Sequence, residues 1–368
     1  MKKHSILQSV KARDAAYEIA RTVIAAAIAF LLSAGMLFMT SASPVRSLAL
    51  LYLSPFSGTY TAGKILTESV PLIFTGVAVC VMVRCGQFNM FVEGAFFTGG
   101  LLGAVIAAGL NLPGILRPWT AMFAASAATG LIGSGPALLK ARLGINEFVT
   151  SLMFNFVVFW VFMYLFQYHF ADTSYSSLAT PLLDGNAKLP YLHFDNEISS
   201  SVLIALAAAV LGAVFLWRTR WGYSIRMTGG NTRFAEHCGI KTRSAIVYSQ
   251  IIGSALAGFG GAAFILGNFY RFNWKALPNY GFDGFIVAII ARNNPLLVPI
   301  AALFIGYLRT GAMEMARLSD VPNEVVFIIQ AMMMLLIGAQ SLLVRLKKRE
   351  LARAAVTDTP ETSEAKHA

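Results

Sequence analysis

Apolar residues along this chain fall into blocks of about twenty, separated by short polar stretches, which is the length needed to cross about 30 Å of hydrocarbon at about 1.5 Å per residue. Residues 22–40, 65–83, 119–139, 148–170, 200–217, 245–268 and 323–344 each read as one span. Two further blocks are irregular: 88–108 contains Asn89 and Glu93, and 284–311 is broken at Arg292-Asn293-Asn294-Pro295. Proline has no amide donor and disfavours helix in the residue before it, so the second block should split into two short pieces that either cross or dip in and return. The pattern predicts an all-α, polytopic transmembrane helical bundle with about ten membrane segments, some broken or re-entrant. Residues 1–21 form a basic lead-in, 22–345 the transmembrane domain, and 346–368 a tail that is basic and then disordered.

Composition agrees with this reading and removes the soluble classes. Of 368 residues, 57% are apolar and 13% charged, against about 45–50% and about 25% in a soluble domain. The net charge of +11 is a topology signal before it is a nucleic-acid signal. With the N-terminus inside, the inner segments hold 21 of the 29 Lys and Arg residues and the outer segments 8, so both termini are expected in the cytoplasm and no nucleic-acid partner is implied. The first apolar run is too long for a signal-peptide core, and an uncleaved first helix is expected. The cysteines, Cys80, Cys85 and Cys238, are an odd set without zinc-like spacing and read as small hydrophobic residues.

The longest inner connection is 218–244. Within it Asn231 can cap a short helix over 232–238, and Gly239 can end that helix in the left-handed conformation. A short, capped, basic and apolar helix between two spans suits docking into a cytoplasmic partner; a basic inner loop with no partner is the plainer alternative. The chain has no Gly-x-x-x-x-Gly-Lys-Ser/Thr loop for nucleotide phosphates: Gly133-Ser-Gly135-Pro-Ala-Leu-Leu-Lys140 lacks the required ending. The five histidines lie apart, in loops and at the ends, with no catalytic constellation.

Four stretches carry a resemblance. Gly229 through Ala235 to Gly239-Ile240 is followed by a Gly/Ala-rich helix containing Ser254-Ala-Leu-Ala-Gly258-Phe-Gly260-Gly261. Cys85-Gly86-Gln-Phe88-Asn89-Met-Phe-Val-Glu93-Gly94 and Leu139-Lys140-Ala-Arg142-Leu-Gly144-Ile-Asn146-Glu147, with Leu152-Met-Phe-Asn155, form the second and third; Gly281-Phe282-Asp283-Gly284 with Arg292-Asn293-Asn294-Pro295-Leu296 is the fourth. Over residues 65–345 the chain resembles the inner-membrane permease subunits of bacterial ABC importers for ribose, nucleosides and branched-chain amino acids, and the fourth stretch resembles the nucleoside and simple-sugar branch. Gln87, Met90 to Val92, Ala95 and the Gly229-Gly230 pair depart from the family pattern.

The resemblance implies a type II importer-like fold and a multi-pass chain of the bacterial cytoplasmic membrane. It also implies a second permease chain, an ATPase subunit that binds the ATP and Mg, and an extracytoplasmic substrate-binding lipoprotein. No cofactor or metal is expected on this chain. The loop residues Gly229, Asn231, Arg233, Phe234, Ala235, Glu236, Gly239 and Ile240 are then the ones expected to couple to the ATPase, and Phe88, Asn89, Glu93, Asn155, Asp283, Asn293 and Asn294 are candidates for the translocation path.

Polar groups at membrane depth are costly and each invites a role. Asn89 and Glu93 share a face if 88–108 is helical from its start. Glu93 either lines the path or pins a broken helix by accepting from free amides, and Asp283 poses the same choice. Asn155, Asn268, Gln250, Gln330 and Gln340 suit hydrogen bonds between helices, while Gly99, Gly103, Gly253, Ala257 and Gly261 suit close helix approach. Phe269-Tyr270-Arg271-Phe272-Asn273-Trp274 is placed at the outer mouth, and the outer loop 171–198 is acidic through Asp172, Asp184, Asp195 and Glu197 against Lys188. A carrier driven by an ion gradient, using Glu93 and Asp283, is the alternative from another class.

Overall fold

A computed structural model describes residues 33–110, 112–114, 116–192 and 198–322, with isolated positions at 31, 325, 328, 329, 331 and 332. The lead-in 1–21, most of the first expected span and the tail 346–368 lie outside the described residues, as does the last expected span apart from isolated helical positions. The helices are α1 (Pro44–Leu53), α2 (Thr59–Arg84), α3 (Val92–Gly109), α4 (Leu116–Leu143), α5 (Glu147–Leu165), α6 (Ser201–Arg218), α7 (Arg220–Gly230), α8 (Thr232–His237), α9 (Thr242–Asn268), α10 (Tyr280–Ile290) and α11 (Val298–Leu318). Helix α5 runs on through one π turn, Phe166–Phe170.

Six of these are long and apolar enough to span a membrane: α2, α3, α4, α5 with its π turn, α6 and α9. Each matches an expected block and extends past it at one or both ends. Three local expectations are corrected. Helix α3 starts at Val92, so Asn89 precedes it and does not share a helical face with Glu93. The break at Arg292-Asn293-Asn294-Pro295 is present, but it separates an 11-residue helix, α10, from a 21-residue one, α11, instead of two short pieces. The connection 218–244 holds two helices, because Thr219 accepts from the amide of Gly222 and starts α7 ahead of the expected α8.

Residues 53–311 form one unit, and residues 1–52 with 312–368 a second. In the larger unit α9 is central and packs on α4, α3 and α2. The contact with α3 is backbone to backbone: a Cβ on Gly99 would lie within 3.0 Å of the main chain of Gly258. Close approach of this kind is how membrane helices gain packing energy when no hydrophobic difference separates lipid from protein. The core is layered, with Phe97, Leu101, Phe159, Phe166, Ile265 and Phe272 toward one end and Val81, Leu216, Ile225 and Ala245 toward the other. In the smaller unit Asp320 accepts from Ser41 Oγ (2.7 Å) and from the amide of Ala42 (2.6 Å).

Candidate functional site

The turn between α2 and α3 is irregular at residues 87–91, although Gln87, Asn89 and Phe91 are buried there. Irregular backbone inside a membrane protein survives only where protein groups satisfy its amides. They do so here. The Asn89 side chain accepts from Phe91 N (2.8 Å) and donates to Gln250 Oε1 on α9 (2.6 Å). From α5, Ser151 Oγ accepts from Met90 N (2.8 Å) and Asn155 Oδ1 from Gly94 N (2.5 Å). Asn155 therefore bonds between helices, as its isolation on an apolar span suggested, and Gln250 bonds from α9 to the turn before α3.

Helix α10 also begins inside the protein, and its first amides need partners. Glu93 supplies them. One carboxylate oxygen accepts from Asn279 N (2.6 Å) and the other from Gly281 N (2.5 Å), and the side chain is 0% exposed. Asn279 enters the helix in the left-handed region, at φ 65°. Gly281 has no room for a side chain, since a Cβ would lie within 3.0 Å of the Glu93 backbone. A carboxylate on α3 thus caps α10, where an anion is also favoured by the helix dipole. Both carboxylates named for a gradient-driven carrier are engaged: the buried Glu93 by amides, and the partly buried Asp283, one turn into α10, by Arg309 of α11.

The Arg309 guanidinium joins a larger group. It lies 3.9 Å from Glu68 of α2 and 4.5 Å over the Tyr280 ring, while the Tyr280 hydroxyl donates to Glu68 (3.1 Å). Sequence reasoning assigned no role to Glu68 or Arg309. The signal available was a basic residue inside an apolar block, which requires a buried partner. At the far end of α10, Arg292 and Asn293 adopt φ 53° and 54°, and Arg84 Nε donates to the Asn293 carbonyl (2.8 Å). Asn294 Oδ1 accepts from Leu296 N (3.2 Å). Asn293 and Asn294 build this turn, about 17 Å of helix away from Glu93. The seven path candidates therefore do not converge on one place: Asn89, Glu93 and Asn155 sit together, Asp283 is paired beside them, and Phe88 is half exposed.

The connection 218–244 holds the second group of candidate residues. Asn231 Oδ1 accepts from Phe234 N (3.1 Å), α8 covers Thr232–His237, and Gly239 follows at φ 79°. Ala235 is buried, whereas Arg233, Glu236 and Phe234 are exposed, Phe234 at 54%. Glu236 accepts from the hydroxyl of Thr242 at the start of α9 (2.8 Å), and Ile240 N donates to the Ala235 carbonyl (3.0 Å). Gly229 packs against the end of α2, where a Cβ would lie within 3.0 Å of the backbone at Arg84 and Cys85. Cys80 and Cys85 are buried and Cys238 is exposed, all as free thiols. Among the described residues no group of His, Cys, Asp and Glu is arranged to hold a metal ion.

These features fit a transport subunit, and the chain's relatives agree. Residues 61–338 match the family described as the branched-chain amino acid transport system / permease component. The guanosine ABC transporter permease protein NupP of Bacillus subtilis is 30% identical over 84% of this chain and 90% of its own length. The glucose ABC transporter permease protein TsgB13 of Haloferax volcanii is 29% identical over 79% of this chain and 80% of its own. The nucleoside ABC transporter permease protein NupB of Lactococcus lactis is 25% identical over 90% and 94%. No solved structure matches. The chain belongs to the branched-chain amino acid transport system permease family and is the membrane-spanning permease subunit of an ABC importer.

Proposed function

We propose that this permease carries a nucleoside or simple sugar across the bacterial cytoplasmic membrane, with both termini in the cytoplasm. It works with a second permease chain, with ATPase subunits that bind ATP and Mg, and with an external lipoprotein that delivers the substrate. The observation that carries the coupling part is α8: a side-chain-capped helix of six residues that turns Phe234 outward. In this reading a movement of the ATPase pushes on Phe234 and its neighbours Arg233 and Glu236. The push reaches α9 through Glu236 and Thr242, and α2 through Gly229, and shifts the irregular starts of α3 and α10 between outward and inward access. The substrate class rests on the names of the guanosine, nucleoside and glucose relatives.

Uptake of labelled guanosine, glucose and leucine by cells with and without the gene tests the substrate class. Nucleoside or glucose uptake is expected to fall while leucine uptake holds. Loss of leucine uptake alone would reassign the substrate to amino acids.

A further inference from the structure

Three side chains from three helices meet at the end of α2 that also meets Gly229. The Arg84 guanidinium lies 5.2 Å from the centre of the Trp217 ring, and that of Arg226 lies 4.6 Å from it. Arg84 is fixed by the turn after α10, with Nε donating to the Asn293 carbonyl (2.8 Å). Arg226 Nε is buried and has no hydrogen-bond partner. Neither arginine pairs with a carboxylate among the described residues, so two cations are held on one indole with no counter-charge there. Two guanidiniums held this close repel each other, and an anion between them offsets that repulsion and gives Arg226 Nε an acceptor.

The surroundings say where that anion comes from. Trp217 is the last aromatic residue of the apolar span α6, followed at once by Arg218, and aromatic and basic residues in that order mark the membrane–water interface. The next helix, α7, buries Gly222, Ile225 and Thr228 on one face and exposes Trp221 and Tyr223. Exposed Trp and Tyr just beyond the end of a span are the residues enriched at the membrane–water interface. The water-facing part of the loop is α8, one helix further on.

We infer that Arg84, Arg226 and Trp217 form a binding site for the phosphate group of an anionic phospholipid, whose headgroup bridges the two guanidiniums beside the indole. The planar guanidinium fork suits a phosphodiester. The bound lipid ties the ends of α2, α6 and α7 to the turn after α10, which includes the elements next to the coupling helix. Placement in the cytoplasmic leaflet rests on the orientation proposed above; the lipid chemistry does not.

Native mass spectrometry of the purified full chain in detergent, where no sidedness exists, tests this with dioleoyl phosphatidylglycerol against dioleoyl phosphatidylcholine as probes. Wild-type protein should retain phosphatidylglycerol preferentially, and Arg226→Gln should lower that retention about fivefold with phosphatidylcholine unchanged. Excess inorganic phosphate should not displace the lipid. Unchanged phosphatidylglycerol retention in Arg226→Gln overturns the proposal. So does complete displacement by inorganic phosphate, which would mark a free-anion site. If Arg226→Gln is not recovered as monodisperse protein, Arg226→Lys is read instead: it keeps the charge without the fork, and retention equal to wild type would overturn the site.

Discussion

Replacing Glu93 separates its two readings, as a pin for a broken helix or as a group on the path. Its carboxylate receives two amides, Asn279 N at 2.6 Å and Gly281 N at 2.5 Å, in a fully buried position. A hydrogen bond to a charged group contributes about 1.5–3 kcal/mol. Glu93→Gln keeps one oxygen and turns an NH₂ toward the other amide, so it should cost about 1.5–3 kcal/mol, and Glu93→Ala, which orphans both amides, about 3–6 kcal/mol. The unfolding midpoint of the purified chain in detergent, measured beside substrate uptake, reads both effects. The expected order of stability is wild type, then Gln, then Ala, with uptake falling in step. A Gln variant that unfolds with wild-type behaviour yet transports nothing would refute the capping account and put Glu93 on the path.

Four further expectations follow from the geometry. Arg309→Met leaves the partly buried Asp283 and Glu68 without a cation and should destabilise by up to about 3 kcal/mol, whereas Arg309→Met with Asp283→Leu should recover part of this; equal loss in both would contradict the pairing. Phe234→Ala and Gly239→Val should uncouple transport while the chain still inserts, and variants that keep both ATPase binding and uptake would remove α8 from the coupling role. A membrane-impermeant maleimide should label the exposed Cys238 in inside-out vesicles and leave right-side-out cells unlabelled, since Cys80 and Cys85 are buried; the reverse pattern inverts the proposed topology. In the loop 171–198, hydrogen bonds from Ser174 and Arg271 hold the Asp172 carboxyl down at about 2. Its contribution is therefore present above the ordinary carboxylate value of about 4 and is lost only as pH falls through about 2. Protease nicking of this loop should stay unchanged at pH 5 but rise in Asp172→Asn; nicking that rises as strongly in the wild type at pH 5 would disprove the link.

Much of the fold was legible because hydrocarbon thickness fixes helix length. The six described spans each coincide with an apolar block, and Pro295 marked the break that separates α10 from α11. The cap at Asn231 and the left-handed Gly239 were readable because a capping signal is local to a few residues. What was not legible depends on partners distant in sequence. Asn89 lies outside α3 because Gln250 and Ser151 satisfy the irregular turn, and neither residue is marked near Asn89 in the chain. Arg309 was not singled out for the same reason: its partners Asp283 and Glu68 are on two other helices. Glu93 allows two readings from the sequence because a free amide, such as those that start α10, leaves no trace there.

In the proposed mechanism this chain moves substrate only when an ATPase drives it through the loop 218–244. Proteoliposomes containing the permease pair, with or without the ATPase and the binding lipoprotein, test that directly. Uptake of labelled nucleoside or sugar is predicted only with all components and ATP present, and Phe234→Ala should abolish it. Uptake driven by a proton or sodium gradient through the permease alone would contradict the account.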